Sequence, residues 1–206
     1  MLNIKGKRRT IEMAVVFGLI CAILLSMAHF DAVCDDLRNN ILRLHIFANS
    51  NSKEDQEVKL KVRDAVIKCA QNIFSDSKNL NQAEETAKNN IEIFSRVASQ
   101  TLYENGYEYS ATAKIGDSNF ETREYEEFTL PAGTYRSLII TLGEGKGKNW
   151  WCVVFPAVCL TAAGEHSLNE TASPESTKTA ENPKKYIVRF KTVEIYEEIK
   201  RIFKKR

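Results

Sequence analysis

Cys152 and His45 are the one thiol–imidazole pair in this chain of 206 residues that could be set against each other as nucleophile and base. Neither has the surroundings such chemistry needs. His45 sits in the middle of a strand-like run, and Cys152 lies between Trp151 and Val153 rather than at a helix start, where a thiol is acidified. The other histidines, His29 and His166, are far from both, and no HExxH pattern occurs, so a His-based metal site is not expected. The loop Gly143-Glu144-Gly145-Lys146-Gly147-Lys148 invites comparison with a phosphate cradle. Its glycine spacing is wrong for that, no Ser or Thr follows Lys148, and it connects two strands without opening a helix. The carboxylates of Glu121 to Glu127 read as a solvated strand face.

What remains suits contact better than catalysis. Asn149 and the adjacent Trp150 and Trp151 follow the glycine loop. In a strand, two neighbouring indoles point to opposite faces, so one enters the core and the other is free to anchor a partner. The alternative buries both, one on each face of a covered sheet. Lys146, Lys148, Asn149 and Trp150 are therefore the candidate partner-binding residues. Arg43 and His45 come second, near the Asn49–Ser52 turn above a helix start that could hold a carboxylate. That turn equally reads as a plain strand end and helix cap. No cofactor is implied.

The elements that must position these residues lie between two charged ends. The formal charge is +2, but Lys5, Lys7, Arg8 and Arg9 against Glu12 put +3 in the first 28 residues and leave −1 for the rest. A body so close to neutral has no footprint for nucleic acid. Behind the basic cluster, Met13 to Phe30 is apolar, which matches a secretory leader with Ser26-Met27-Ala28 as the cleavage pattern, or an uncleaved anchor. Residues 1–28 are thus leader or anchor, and either exports the body. The exported part holds Cys34, Cys69, Cys152 and Cys159, enough for two disulfides or for four small buried apolar side chains.

Ile41 to Ala48 predicts a strand with Leu42, Leu44 and Ile46 on one face and Arg43, His45 and Phe47 on the other. Ser52 with Asp55 starts a helix over 53–73, striped by Val58, Val62, Val66, Cys69 and Ile73. A second helix is predicted over 81–103, stopped by Asn105-Gly106. Strands follow at 107–115, ending in a Gly116-Asp117 turn, and at 120–130, 135–142 and 151–155. Residues 161–185 read as a flexible linker. Residues 186–206 read as a short edge strand, 186–190, and a basic amphipathic helix over 193–203. Lys200, Arg201, Lys204, Lys205 and Arg206 at its end would suit an anionic bilayer surface or simply the helix dipole. The order predicts an α+β domain over 37–160, a mainly antiparallel sheet with two helices covering one face, plus the C-terminal amphipathic helix after the linker.

Two longer stretches carry a resemblance. Leu42-Arg43-Leu44-His45, then Ala48-Asn49-Ser50, Ser52, Asp55-Gln56, Lys59-Leu60 and Val62-Arg63-Asp64 form the first. Gly133, Tyr135, Ser137-Leu138, then Gly143, Gly145, Gly147, Asn149-Trp150-Trp151-Cys152-Val153, Phe155-Pro156 and Cys159 form the second. In this order, behind an export leader, they resemble the signatures of the stage II sporulation protein R family. The resemblance implies a signalling protein of endospore formation, made in the forespore and exported into the space between the forespore and mother-cell membranes. There it would activate a membrane-embedded peptidase that processes the precursor of sigma-E, acting as ligand and not as enzyme. It leaves open which residues touch the peptidase. The competing readings from the residues alone are an envelope thiol hydrolase and a membrane-surface structural protein.

Overall fold

Leu42, Leu44 and Ile46 have no exposed surface, and they mark the centre of a four-stranded sheet. The computed structural model describes residues 4–125, 128–156 and 171–204. The elements run α1 (Ile4–Asn39), β1 (Leu42–Phe47), α2 (Lys53–Phe74), α3 (Leu80–Asn89), α4 (Ile91–Glu104), β2 (Ala111–Phe120), β3 (Arg123–Glu124), β4 (Thr129–Leu130), β5 (Gly133–Leu142), β6 (Asn149–Phe155), α5 (Pro174–Glu181) and α6 (Pro183–Lys204). The fold is α+β.

The main sheet has the order β2-β5-β1-β6. β2 with β5 and β1 with β6 are antiparallel, whereas the central pair, β1 with β5, is parallel, with Leu44 beside Leu138 and Ile46 beside Ile140. The sheet is thus mainly antiparallel, as expected, with the one parallel pair at its centre. The physical reason is that β5 reaches β6 by passing over the end of β1, so β1 slots between them. Leu42, Leu44, Ile46, Leu138, Ile140, Leu142, Cys152 and Val154 pack in one cluster with Val58, Val62 and Val66 of α2, Ala83 and Ala87 of α3, and Phe94, Ala98 and Leu102 of α4. Each large aliphatic side chain so buried contributes about 1.5–3 kcal/mol. A second cluster joins Leu37 and Ile41 with Phe128, Leu130, Val153, Ala172 and Ala180, so Val153 of β6 serves a separate core from its neighbours Cys152 and Val154.

Several elements depart from the sequence reading. The expected long second helix is two, α3 and α4, because Asn90 (φ −113°, ψ 17°) leaves the helical region and its side-chain amide donates back to the Thr86 carbonyl at 2.8 Å. Gly116-Asp117 is not a turn: all ten residues of β2 pair with β5, Gly116 opposite Ser137. The 120–130 strand is instead a small separate sheet of β3 and β4. Pro174–Glu181, within the expected linker, is a helix capped by Ser173, with Ser176, Thr177, Thr179 and Ala180 buried. Tyr186 to Phe190 belongs to α6, not to an edge strand. Cys34 and Cys69 are free thiols, so the two-disulfide reading is not realised at either; Cys159 lies outside the described residues.

α1 carries the apolar stretch in one continuous helix of 36 residues. Val15 to Leu25, apart from half-buried Cys21, is exposed along it, and it is the one helix among the described residues long and apolar enough to cross a membrane. Ala28 lies inside this helix, and just beyond it Phe30, Val33, Cys34 and Leu37 are buried against the body.

Candidate functional site

The glycine loop is pinned, not mobile. Between β5 and β6 it crosses the end of β1, where the Lys146 and Gly147 amides donate to the carbonyls of Asn49 (3.1 Å) and Ala48 (2.8 Å). The Glu144 amide donates to Asn49 Oδ1 at 3.0 Å and the Lys148 amide to Asn51 Oδ1 at 2.8 Å. Such a crossing needs residues without side chains. Gly143 (φ +52°) and Gly145 (φ +65°) hold left-handed backbone, and a Cβ at Gly147 would run into the Ser50 carbonyl.

Beneath the loop, the first turns of α2 supply a buried polar network. Ser52 caps the helix, its hydroxyl accepting from the Asp55 amide at 3.1 Å, as the capping pattern predicts. Asp55, almost fully buried, accepts from the Tyr109 hydroxyl and from the Asn49 amide. Burial works to raise its carboxyl, but hydrogen bonds from Ser50, Tyr109 and Asn49 outweigh it and hold it below the usual carboxylate range. Gln56 donates to the Ser50 carbonyl at 2.8 Å. Lys59, 4% exposed, donates to the Lys148 carbonyl at 3.0 Å and to Gln56 Oε1 at 2.6 Å. Desolvation first, and then the Lys148 charge, lower its pKa. A buried ammonium so placed ties the exit of the loop to α2. Its role went unassigned in the sequence, although Asp55, Gln56, Lys59 and Arg63 all fall in the first quoted stretch.

The two tryptophans do point to opposite faces, but each is half-covered and each carries an arginine. Trp150, beside Ile46, packs at the rim of the main core with the Arg63 guanidinium 4.5 Å from its ring centre. Trp151, beside His45, lies edge-on to His45 and Phe120, with Arg123 at 5.1 Å. Neither indole projects freely, which is closer to the covered-sheet alternative than to a single outward anchor.

Arg43 and His45 lie inside the molecule, not on a contact surface. Arg43 is fully buried, its guanidinium 3.7 Å from the Phe120 ring centre and donating to the Tyr125 hydroxyl at 2.7 Å. His45 is 6% exposed, within 3.2 Å of the Ser118 hydroxyl, and burial lowers its pKa to about 4. Sheet pairing explains this: both alternate with core residues on a strand that is central and covered on both faces. The same alternation separates His45 from Cys152, which packs with Leu44 on the opposite face. His45 and Cys152 therefore cannot form a thiolate–imidazole pair across the sheet; Cys159 and His166 lie outside the described residues.

The structure thus brings together Glu144, Lys146, Lys148 and Asn149, all exposed, on a rigid crossing at one end of the sheet. Glu144 and Lys146 pair at 2.8 Å. The C-terminal basic residues are elsewhere: Lys200 and Arg201 are exposed on α6, Lys204 ends it, and Lys205 and Arg206 lie outside the described residues. Among the described residues no group of three or more His, Cys, Asp or Glu could hold a metal ion.

Comparison with known proteins gives one consistent result. The family model described as Stage II sporulation protein R matches residues 38–165. A curated protein of that name from Bacillus subtilis (strain 168) is 33% identical over 138 residues, 66% of this chain and 62% of that protein. The chain therefore spans less than two thirds of that relative's length. No solved structure matches.

Proposed function

This chain belongs to the stage II sporulation protein R family, and from that premise we propose that it is an exported signal of endospore formation. In this reading it leaves the forespore, acts in the space between the two membranes, and activates a membrane-embedded peptidase that processes the sigma-E precursor in the mother cell. It works as a non-catalytic ligand. To move the peptidase from 1:99 to 99:1 in favour of its active state, it must bind that state about 5.5 kcal/mol more tightly.

One observation carries this reading. The two separated stretches of sequence converge at a single place, the crossing where residues 143–148 are hydrogen-bonded to residues 48–51 and to Lys59. Buried polar groups are used there to hold a loop still, and the loop offers Lys146, Lys148 and Asn149 outward, with Trp150 as the half-buried platform beneath. Preorganisation of this kind favours binding, because little ordering entropy is lost on contact. We assign this crossing as the surface that meets the peptidase. Contact with the bilayer through Lys200, Arg201 and the following basic residues is a second element of the proposal. It is favoured by exposed Ile195, Ile199, Ile202 and Phe203 on the same helix and by a cavity of about 280 Å³ between α6 and the apolar helix, lined by Met27, Ala28, Phe30, Val193 and Tyr196.

Charge reversal tests the assignment without touching the core. Sporulating cells carrying Lys146→Glu with Lys148→Glu should export the chain at normal levels yet fail to process the sigma-E precursor on immunoblots. Normal processing would remove the crossing from the interface.

A further inference from the structure

Among the described residues, no strand pairs with the outer edge of β2. Gly143 donates to the Ser110 carbonyl at 3.0 Å, so Ser110 faces β5, and alternation then turns Ala111, Ala113, Ile115, Asp117 and Asn119 outward. The protein closes the first of these itself. The Ala111 amide donates to Ser99 Oγ at 2.9 Å, and its carbonyl accepts from Ser95 (2.8 Å) and Ser99 (3.2 Å), all from α4. The closure stops there. Among the described residues, no hydrogen bond reaches the outward backbone groups of Ala113, Ile115, Asp117 or Asn119. Two of the usual defences of an edge are missing, since the register from Ala111 to Phe120 has no bulge and the strand has no proline, and its charges are limited to Lys114 and Asp117.

We propose that this edge receives an extended segment of a partner protein, which adds as a fifth strand to the main sheet. The flanking side chains say what that segment is like. On the helix side, Ala113 and Ile115 are half-buried at the rim of the main core, which calls for apolar residues at alternate positions. On the other face, Thr112 and Lys114 are exposed, which calls for acidic or polar residues between them. A strand alternating apolar with acidic residues is the occupant, docked by main-chain hydrogen bonds and sorted by alternate side chains. The proposal rests on the reading above in taking the exported part of the peptidase as the source of that strand.

Amide hydrogen exchange resolves the edge residue by residue. The full-length chain in detergent micelles is measured alone and with the detergent-solubilised peptidase. Alone, the Ala113, Ile115, Asp117 and Asn119 amides should exchange quickly while Thr112, Lys114 and Ser118 are protected. In the complex the four should slow at least tenfold. A second arm uses Ala113→Pro with Asn119→Pro, which removes two outward donors and leaves the β5 ladder intact; it should weaken the complex at least tenfold. A complex that leaves the four amides unchanged overturns the edge proposal and spares the functional reading. Protection that grows with the concentration of the chain alone identifies a second copy as occupant and overturns it. Failure of the two proteins to associate at all overturns the functional reading and the edge proposal together.

Discussion

Arg43 and His45 occupy the centre of β1 as polar residues with almost no access to solvent, and their environments differ. Arg43 lies against the Phe120 and Tyr135 rings and donates to the Tyr125 hydroxyl. His45 keeps its place by staying neutral, since burial favours the uncharged imidazole. Its folded pKa of about 4 lies below the unfolded value of 6.5, so its contribution is complete above pH 6.5 and is lost as pH falls toward 4. The loss attributable to this group is roughly 3 kcal/mol across that window. NMR titration should place the imidazole near pH 4, and a His45→Gln variant should lack this part of the acid destabilisation. An imidazole titrating near 6.5 would contradict the buried placement. Residue type and nearness to the Asn49–Ser52 turn marked these two as contact candidates; only strand order shows that their face is covered.

The crossing loop is the element on which the site depends, and Gly147 is its tightest point. A methyl group there would meet the Ser50 carbonyl, which accepts from the Gln56 side chain, and the Ala48 methyl group. Gly147→Ala should cost at least about 2 kcal/mol in denaturant unfolding and release the Lys146 amide to fast exchange. A variant as stable as the parent, with that amide still protected, would show that the crossing is not held as described. Elements of this kind were legible in the sequence where one local signal decided them. β1 alternates cleanly, Ser52 and Asp55 start α2, and the apolar centre of β5 reads as an interior strand. Elements set by distant partners were not. β2 runs on through Gly116-Asp117 because β5 pairs with all of it, and Tyr186–Phe190 is helical within a longer helix that packs Phe190 and Val193 against Phe30 and Cys34. The candidate loop was legible in its composition, but its rigidity was not, because that comes from Asn49, Asn51 and Lys59 almost a hundred residues earlier.

At the scale of the whole molecule, a long apolar helix leads into a body whose sheet presents a hydrogen-bonded basic loop at one end and, among the described residues, an unpaired edge along β2. The end of α1 is part of that body, with Leu37 and Ile41 packed against Phe128, Leu130 and Ala180. In our account these surfaces are presented at a membrane and act on a membrane peptidase. Reconstitution tests that most directly. The peptidase is placed in liposomes with the purified sigma-E precursor accessible to its catalytic side, and the full-length chain is supplied on the opposite side. The account predicts that precursor is cleaved when the wild-type chain is present, and not with the Lys146→Glu, Lys148→Glu variant or without the chain. Cleavage that proceeds equally without the chain, or by the chain with no peptidase in the membrane, would contradict it.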